Sequence, residues 1–126
     1  MHKSRLGTMI IDCNTDDLNR EAQFWSAALG LQAEKAGAQV NSKYIRLKGD
    51  KNEVQILLQA VDHDSRIHLD IESDDREAEV TRMQGLGVSV VNRTESWVVM
   101  EAPSGHRFCI IGPIRDSFAD NANTWE

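Results

Sequence analysis

Two side chains two residues apart, His68 and Asp70 in Ile67-His68-Leu69-Asp70-Ile71, have the types and spacing for acid–base chemistry. An imidazole changes charge near neutrality, and a carboxylate beside it can fix its orientation. Side chains alternate along a strand, so His68 and Asp70 share the face that Ile67 and Leu69 leave. Cys109 reads as a ligand contact, a nucleophile or a soft-metal donor if its thiol is open. Its flanks Phe108 and Ile110 argue instead for a small buried hydrophobe. Tyr44 and Trp97 each offer broad apolar surface with one hydrogen-bonding handle, while Arg46 and Glu101 interrupt otherwise apolar runs. The expected catalytic pair is thus His68 and Asp70, with Tyr44, Arg46, Trp97, Glu101 and Cys109 as ligand contacts. His106 and Arg107 follow Gly105 and read either as a cationic lip for an anionic substrate or as a solvated turn. Cys13, Phe24 and Trp25 read as scaffold.

The elements that must position these residues form a repeated series. Leu6 to Cys13 is a dense apolar run and predicts a strand. Asn14 or Asp16 then caps a helix on which Leu18, Ala22, Trp25 and Leu29 recur at helical spacing, ending at a left-handed Gly30. Leu31 to Lys35 predicts a short strand before a bend at Gly37, and Tyr44–Leu47 with Glu53–Leu58 predicts a hairpin. The polar Asp62-His63-Asp64-Ser65 joins two halves. In the second half a strand at Ile67–Ile71 precedes a helix capped by Asp74 and Glu77, with Ala78, Met83 and Leu86 as its apolar side and a stop at Gly87. Val88–Val91, Trp97–Met100 and Phe108–Ile111 complete it.

Spacing supports a duplication. Asp12 and Asp70 lie 58 residues apart, as do Asp17 and Asp75, and Leu29-Gly30 recurs 57 residues later as Leu86-Gly87. Tyr44 and Trp97 differ by 53, as do Ile56 and Cys109. The expectation is one α+β domain of two tandem βαβββ modules, about 6–60 and 65–113, with a C-terminal tail at 114–126. Its curved mixed sheets would surround a cleft fit for a small ligand. Phe118 and Trp125 complicate a loose tail, since a solvated segment needs neither; they would dock on their own subunit or on a partner.

Composition narrows the function further. At 126 residues, 40% of them hydrophobic, the chain can build one core without staples. A net charge of −6, with no long basic run, argues against nucleic acid and against anionic membrane as partners. Two widely spaced cysteines make neither a disulfide scaffold nor a metal finger, and no apolar run spans a bilayer, so a cytoplasmic protein is expected. No phosphate-binding glycine loop, nucleophile elbow or zincin histidine pair is present, which argues against ATP, nicotinamide cofactors and DNA.

Ile10-Ile11-Asp12-Cys13, Phe24-Trp25-Ser26-Ala27-Ala28-Leu29-Gly30, Ile67-His68-Leu69-Asp70, Leu86-Gly87 and Ala102-Pro103-Ser104-Gly105-His106-Arg107-Phe108-Cys109 together resemble the vicinal oxygen chelate superfamily. The likeness is to its small glyoxalase-like members, akin to bleomycin resistance proteins and the dihydroxybiphenyl dioxygenase fold. It covers about residues 6 to 113 and implies paired βαβββ modules and often a homodimer. In metal-dependent members it also implies a divalent ion held by inward residues on the first and last strands of each module. His68 matches one such position, but its first-module counterpart is Ile10. Cys109 stands where a glutamate is frequent, and its counterpart falls near Ile56, with Gln55 adjacent. A standard divalent site is therefore not expected, and no cofactor is assigned. The leading functional expectation is a small-molecule-binding protein that sequesters an organic ligand. Alternatives are a lyase or isomerase using His68 in acid–base chemistry, and a homodimeric interaction module.

Overall fold

The first strand is longer than its apolar run. In the computed structural model, which describes residues 1–34 and 43–126, β1 covers His2–Asn14. Helix α1, Leu18–Leu29, follows at the breaker cluster, and its cap is Asp17, whose carboxylate accepts from the Arg20 N–H at 3.2 Å. Neither Asn14 nor Asp16 fills that role. Gly30 ends the helix at φ 68°, a left-handed conformation that a Cβ would strain. Strand β2 spans Gln32–Ala33, β3 Tyr44–Lys48 and β4 Gln55–Val61. Lys35 and the bend expected at Gly37 lie outside the described residues.

Strand β5, Arg66–Ser73, opens the second series, followed by helix α2, Arg76–Gly85. Asp75 caps α2 by accepting from the Ala78 N–H at 3.0 Å, while Asp74 accepts from the Lys3 N–H at 2.8 Å and takes no part in the cap. The two helix caps, Asp17 and Asp75, are thus the pair whose 58-residue spacing marks the repeat. Strands β6, Ser89–Arg93, β7, Trp97–Glu101, and β8, Arg107–Ile111, complete a second βαβββ series, so the fold is α+β with tandem βαβββ modules.

The chain divides into a unit of Met9–Ile67 and a unit of Met1–Thr8 with His68–Glu126, so β1 gives its two halves to different units. In the first unit the strands run in the order β2-β3-β4-β1. Ile11, Cys13, Ile45, Leu47 and Leu58 meet Leu18 and Ala22 of α1 in its core. Cys13 is structural there: burial, then the charges of Glu21 and Asp12, push its thiol up from the usual range. Trp25 packs against the same core, whereas Phe24 is exposed and anchors nothing beyond an edge-to-face contact with Trp25.

In the other unit the order is β1-β5-β8-β7-β6, a mixed sheet in which β5 and β8 run parallel and β6, β7 and β8 antiparallel. Val80 and Met83 of α2 pack on Val98, Met100 and Ile110. Leu86, expected on the apolar side of α2, is exposed just past its end.

The segment after β8 is built into this unit. Helix α3, Phe118–Asn121, buries Phe118, and β9, Asn123–Trp125, pairs antiparallel with the start of β1 through His2↔Trp125 and Ser4↔Asn123. Phe118 and Trp125 dock on their own chain. The Arg5 guanidinium lies 5.5 Å from the Phe118 ring centroid and donates to Ser117 Oγ at 3.2 Å. Arg5 also pairs with Glu72 of β5, a fully buried carboxylate that accepts from the Ile114 N–H at 3.0 Å and lies 3.4 Å from Arg115 Nε.

Gly7 is the site of a close approach to that carboxylate. A Cβ there would meet Glu72 Cγ and Oε2 at 3.2 Å. Glu72 is held by Arg5, Arg115 and Ile114 and cannot retreat, so Gly7→Ala is expected to destabilise the chain by about 1–3 kcal/mol through overpacking. Urea denaturation measures it; an unchanged midpoint would mean that Glu72 moves freely.

Candidate functional site

Register decides which side chains meet. In the unit containing β5 to β8, Asp70 lies opposite Cys109, Val99 opposite Cys109, and Trp97 opposite Ile111. Val98, Met100 and Ile110 face α2, so by alternation His68, Asp70 and Glu72 share the other face with Trp97, Val99, Glu101, Arg107 and Cys109. The expectation that the flanks of Cys109 bury it fails for this reason. Phe108 and Ile110 join the α2 core, and the residue between them points away from it.

On that face three donors converge. One ligand atom each from His68, Asp70 and Cys109 lie within 4.8 Å of one another, and all three residues are half-buried. His68 Nε2 stands 3.6 Å from Asp70 Oδ1, within ion-pairing reach and longer than a hydrogen bond. Their side chains are 17% and 16% exposed, enough for a small ligand or ion to reach them. The trio is the one such cluster among the described residues. Sequence alternation places His68 and Asp70 together, but only the β5–β8 register brings in Cys109.

The other expected contacts are distributed as follows. Trp97 is on the trio's face at 41% exposure, a half-open aromatic surface. Glu101 is on that face too, but its carboxylate accepts from Arg107 Nε at 2.9 Å, so the two charges satisfy each other. His106 hydrogen-bonds Ser104 Oγ at 2.6 Å in the exposed turn. Tyr44 and Arg46 belong to the Met9–Ile67 unit. Tyr44 is 45% exposed and its hydroxyl accepts from Gln59 Nε2 at 3.1 Å, and Arg46 donates to the Gln55 side-chain carbonyl. That unit has an open depression of about 480 Å³ edged by Lys43, Gln59, Asp62 and His63. Tyr44 and Arg46 do not line it.

The four-position divalent site that the resemblance implies does not fit this chain. Tyr44 pairs with Gln59 as Trp97 pairs with Ile111, which places Ile111 52 residues after Gln59. The structural counterpart of Cys109 is therefore Leu57, not Ile56, because the second hairpin is one residue shorter. Ile56 packs against the α1 core. Gln55 Nε2 donates to the Glu53 and Asp50 carbonyls at 2.8 and 3.3 Å, and its oxygen takes Arg46. The first-module set equivalent to His68, Asp70 and Cys109 is Ile10, Asp12 and Leu57. Ile10 and Leu57 have no donor, and Asp12 faces Arg66 at 4.0 Å.

Tandem βαβββ modules define a vicinal oxygen chelate fold. Residues 8–111 match the family described as glyoxalase-like domain, and the chain belongs to it. No curated protein matches the chain significantly. Among solved structures, a hypothetical protein of Bacillus halodurans C-125 superposes with a TM-score of 0.60 at 16% identity, over 90% of this chain and 96% of its own. Methylmalonyl-CoA epimerase of Mycobacterium tuberculosis gives 0.57 at 19% identity, over 90% and 91%. Homoprotocatechuate 2,3-dioxygenase of Arthrobacter globiformis gives 0.58 at 17% identity over 88% of this chain, which spans only 36% of the dioxygenase. At these identities the likeness is one of fold.

Proposed function

We propose that this protein binds a small organic molecule on the open face of its second module and sequesters it, as a cytoplasmic homodimer with no nucleic-acid or membrane partner. The observation that carries the reading is the convergence of His68, Asp70 and Cys109 on the sheet face that also carries the half-exposed Trp97. Acceptor, donor and soft sulfur share a face with a broad apolar ring, the mixture that fixes orientation in small-molecule sites. An acidic chain, at −6, supports the absence of nucleic acid from the list of partners.

A second reading, a lyase or isomerase, draws on one distance. In this reading His68 takes a proton from a bound carbon acid or returns it, and the Asp70 carboxylate 3.6 Å away stabilises the imidazolium that forms. His68→Gln keeps the shape and removes this proton transfer.

Native mass spectrometry of freshly purified protein tests the binding reading, with an organic mass retained on a dimer as the expected result. Trp97→Ala is then expected to weaken that ligand by about tenfold, the loss of an aromatic contact worth roughly 1.4 kcal/mol. Unchanged affinity in a folded Trp97→Ala protein would remove Trp97 from the site. Turnover of the retained compound that His68→Gln abolishes would replace sequestration by catalysis.

A further inference from the structure

We infer that Cys109 is a covalent trap for conjugated carbonyl compounds, its Sγ adding to the β-carbon of an enone or enal while His68 carries the proton. The inference rests on the proposed small-molecule reading and adds which compounds that face selects and how it holds them.

Placement supports it first. Cys109 Sγ, a ring nitrogen of His68 and a carboxylate oxygen of Asp70 lie within 4.8 Å of one another. Asp70 and Cys109 are opposite each other in the parallel β5–β8 pair, and His68 is two residues back on the same strand face. Two strands therefore present a thiol, a base that can take its proton and an acid that steadies the base, the parts of an activated cysteine. A side-chain rotation closes the widest separation by the required shift of about 1 Å, as nucleophile and base do when substrate binds. The other thiol lacks this setting. Cys13 is buried in the α1 core, where burial, then the charges of Glu21 and Asp12, push its thiol up, whereas Cys109 is half-buried and points away from the α2 core. In the first module the equivalents of His68 and Cys109 are Ile10 and Leu57, which supply neither base nor thiol.

Chemistry selects the ligand. Sulfur is soft and polarisable, and a conjugated carbonyl offers it a carbon of matching softness. The Sγ–H proton passes to His68, sulfur forms an S–C bond to the β-carbon, and the π pair of the C=C bond moves to the enolate. Asp70, 3.6 Å from His68 Nε2, stabilises the imidazolium, which returns its proton to the α-carbon. The product is a thioether equal in composition to thiol plus enone, so the step needs no oxidant and expels no leaving group. Val99 pairs with Cys109, and Trp97 lies two residues from Val99 on the same face, about 7 Å along β7. An aromatic substituent on the β-carbon has its apolar surface there.

The full chain, reduced and freed of excess thiol, is incubated with benzylideneacetone and read by intact mass under denaturing conditions and by peptide mapping. One adduct per chain is expected, on Cys109 and not on Cys13. It should form about 100-fold faster than the adduct of N-acetylcysteine at the same pH, the scale of rate that a placed base supplies. His68→Gln is expected to bring the rate down to that of N-acetylcysteine. Asp70→Asn should lower the saturating rate about tenfold and leave the half-saturating concentration unchanged, the pattern of a residue that acts on the proton-transfer step. If His68→Gln misfolds by circular dichroism, labelling of the unaltered chain in its native and urea-unfolded states decides in its place. A Cys109 rate that falls on unfolding supports the trap, and one that holds or rises overturns it. No adduct at Cys109, a rate no greater than that of N-acetylcysteine, or an undiminished rate in folded His68→Gln would each overturn the inference. The proposed binding is read from a mass held non-covalently on native protein. A retained organic mass together with failure to label Cys109 would therefore overturn the trap and leave the binding proposal in place.

Discussion

Replacing Glu79 with alanine is expected to remove about 3–5 kcal/mol of stability, the cost of leaving buried charges without their counter-ion. Glu79 sits on the face of α2 that packs inward, at 0% exposure. Arg82 donates to its two oxygens at 2.8 and 2.9 Å, and His2 Nε2 donates at 2.8 Å from the start of β1. Among the described residues, alanine leaves Arg82 its stacking on the Trp125 ring, 3.9 Å from the centroid. The same carboxylate makes stability fall in acid. Burial alone would raise its pKa, but hydrogen bonds from Arg82, Ser4 and His2 outweigh it and lower the group from 4.5 to about 2. Its stabilisation is therefore complete above the unfolded value of 4.5 and is lost as pH falls through about 2. At roughly 1.4 kcal/mol per unit the loss is on the order of 3 kcal/mol. Urea denaturation from neutrality down through that window should show this slope in the wild type and a flatter one in Glu79→Gln. Equal slopes would place the acid sensitivity elsewhere.

The contrast between Glu79 and His68 explains what could be read from residues alone. A strand repeats every two residues, so His68 and Asp70 fall on one face wherever the strand lies. The helix starts are legible for a similar local reason, an acidic cluster ahead of each, although the capping residues are Asp17 and Asp75 and not the Asn14, Asp16 or Asp74 expected. Glu79 gives no such signal. An acidic residue within α2 reads as solvated, its i,i+3 partner Arg82 suits an exposed helix face equally well, and the partner on another element, His2, is 77 residues away. Cys109 belongs to the same class. Its place beside Asp70 depends on a parallel pairing of β5 with β8, and every residue from Phe108 to Ile111 is apolar enough to be core. The one-residue shift from Ile56 to Leu57 has a local cause, the shorter second hairpin, yet it reverses the face. Duplicated spacing thus locates the modules, while non-local register locates the chemistry.

Phe118→Ala is expected to lower stability by about 3–5 kcal/mol, the usual loss for deleting a buried aromatic ring. The segment after β8 is a clasp. Ile114 gives its N–H to Glu72, Arg115 donates to the Leu6 carbonyl, Ser117 takes the Arg5 guanidinium, and Trp125 Nε1 donates to Ser4 Oγ at 2.8 Å. Each of these bonds ends on β1 or β5. Glu72 is two residues from Asp70 on the same strand face, so what steadies Glu72 also steadies the strand that presents His68 and Asp70. Deleting 113–126 should cost at least as much as Phe118→Ala, and it should speed hydrogen exchange at His2–Ser4, where β9 pairing is lost. Because Phe118 and Trp125 are spent within their own chain, the oligomer mass seen by light scattering should not change while the protein stays folded. A truncated chain of wild-type stability would make the segment an appendage. A truncated chain that is folded but halved in mass would instead show that it also reaches a second copy.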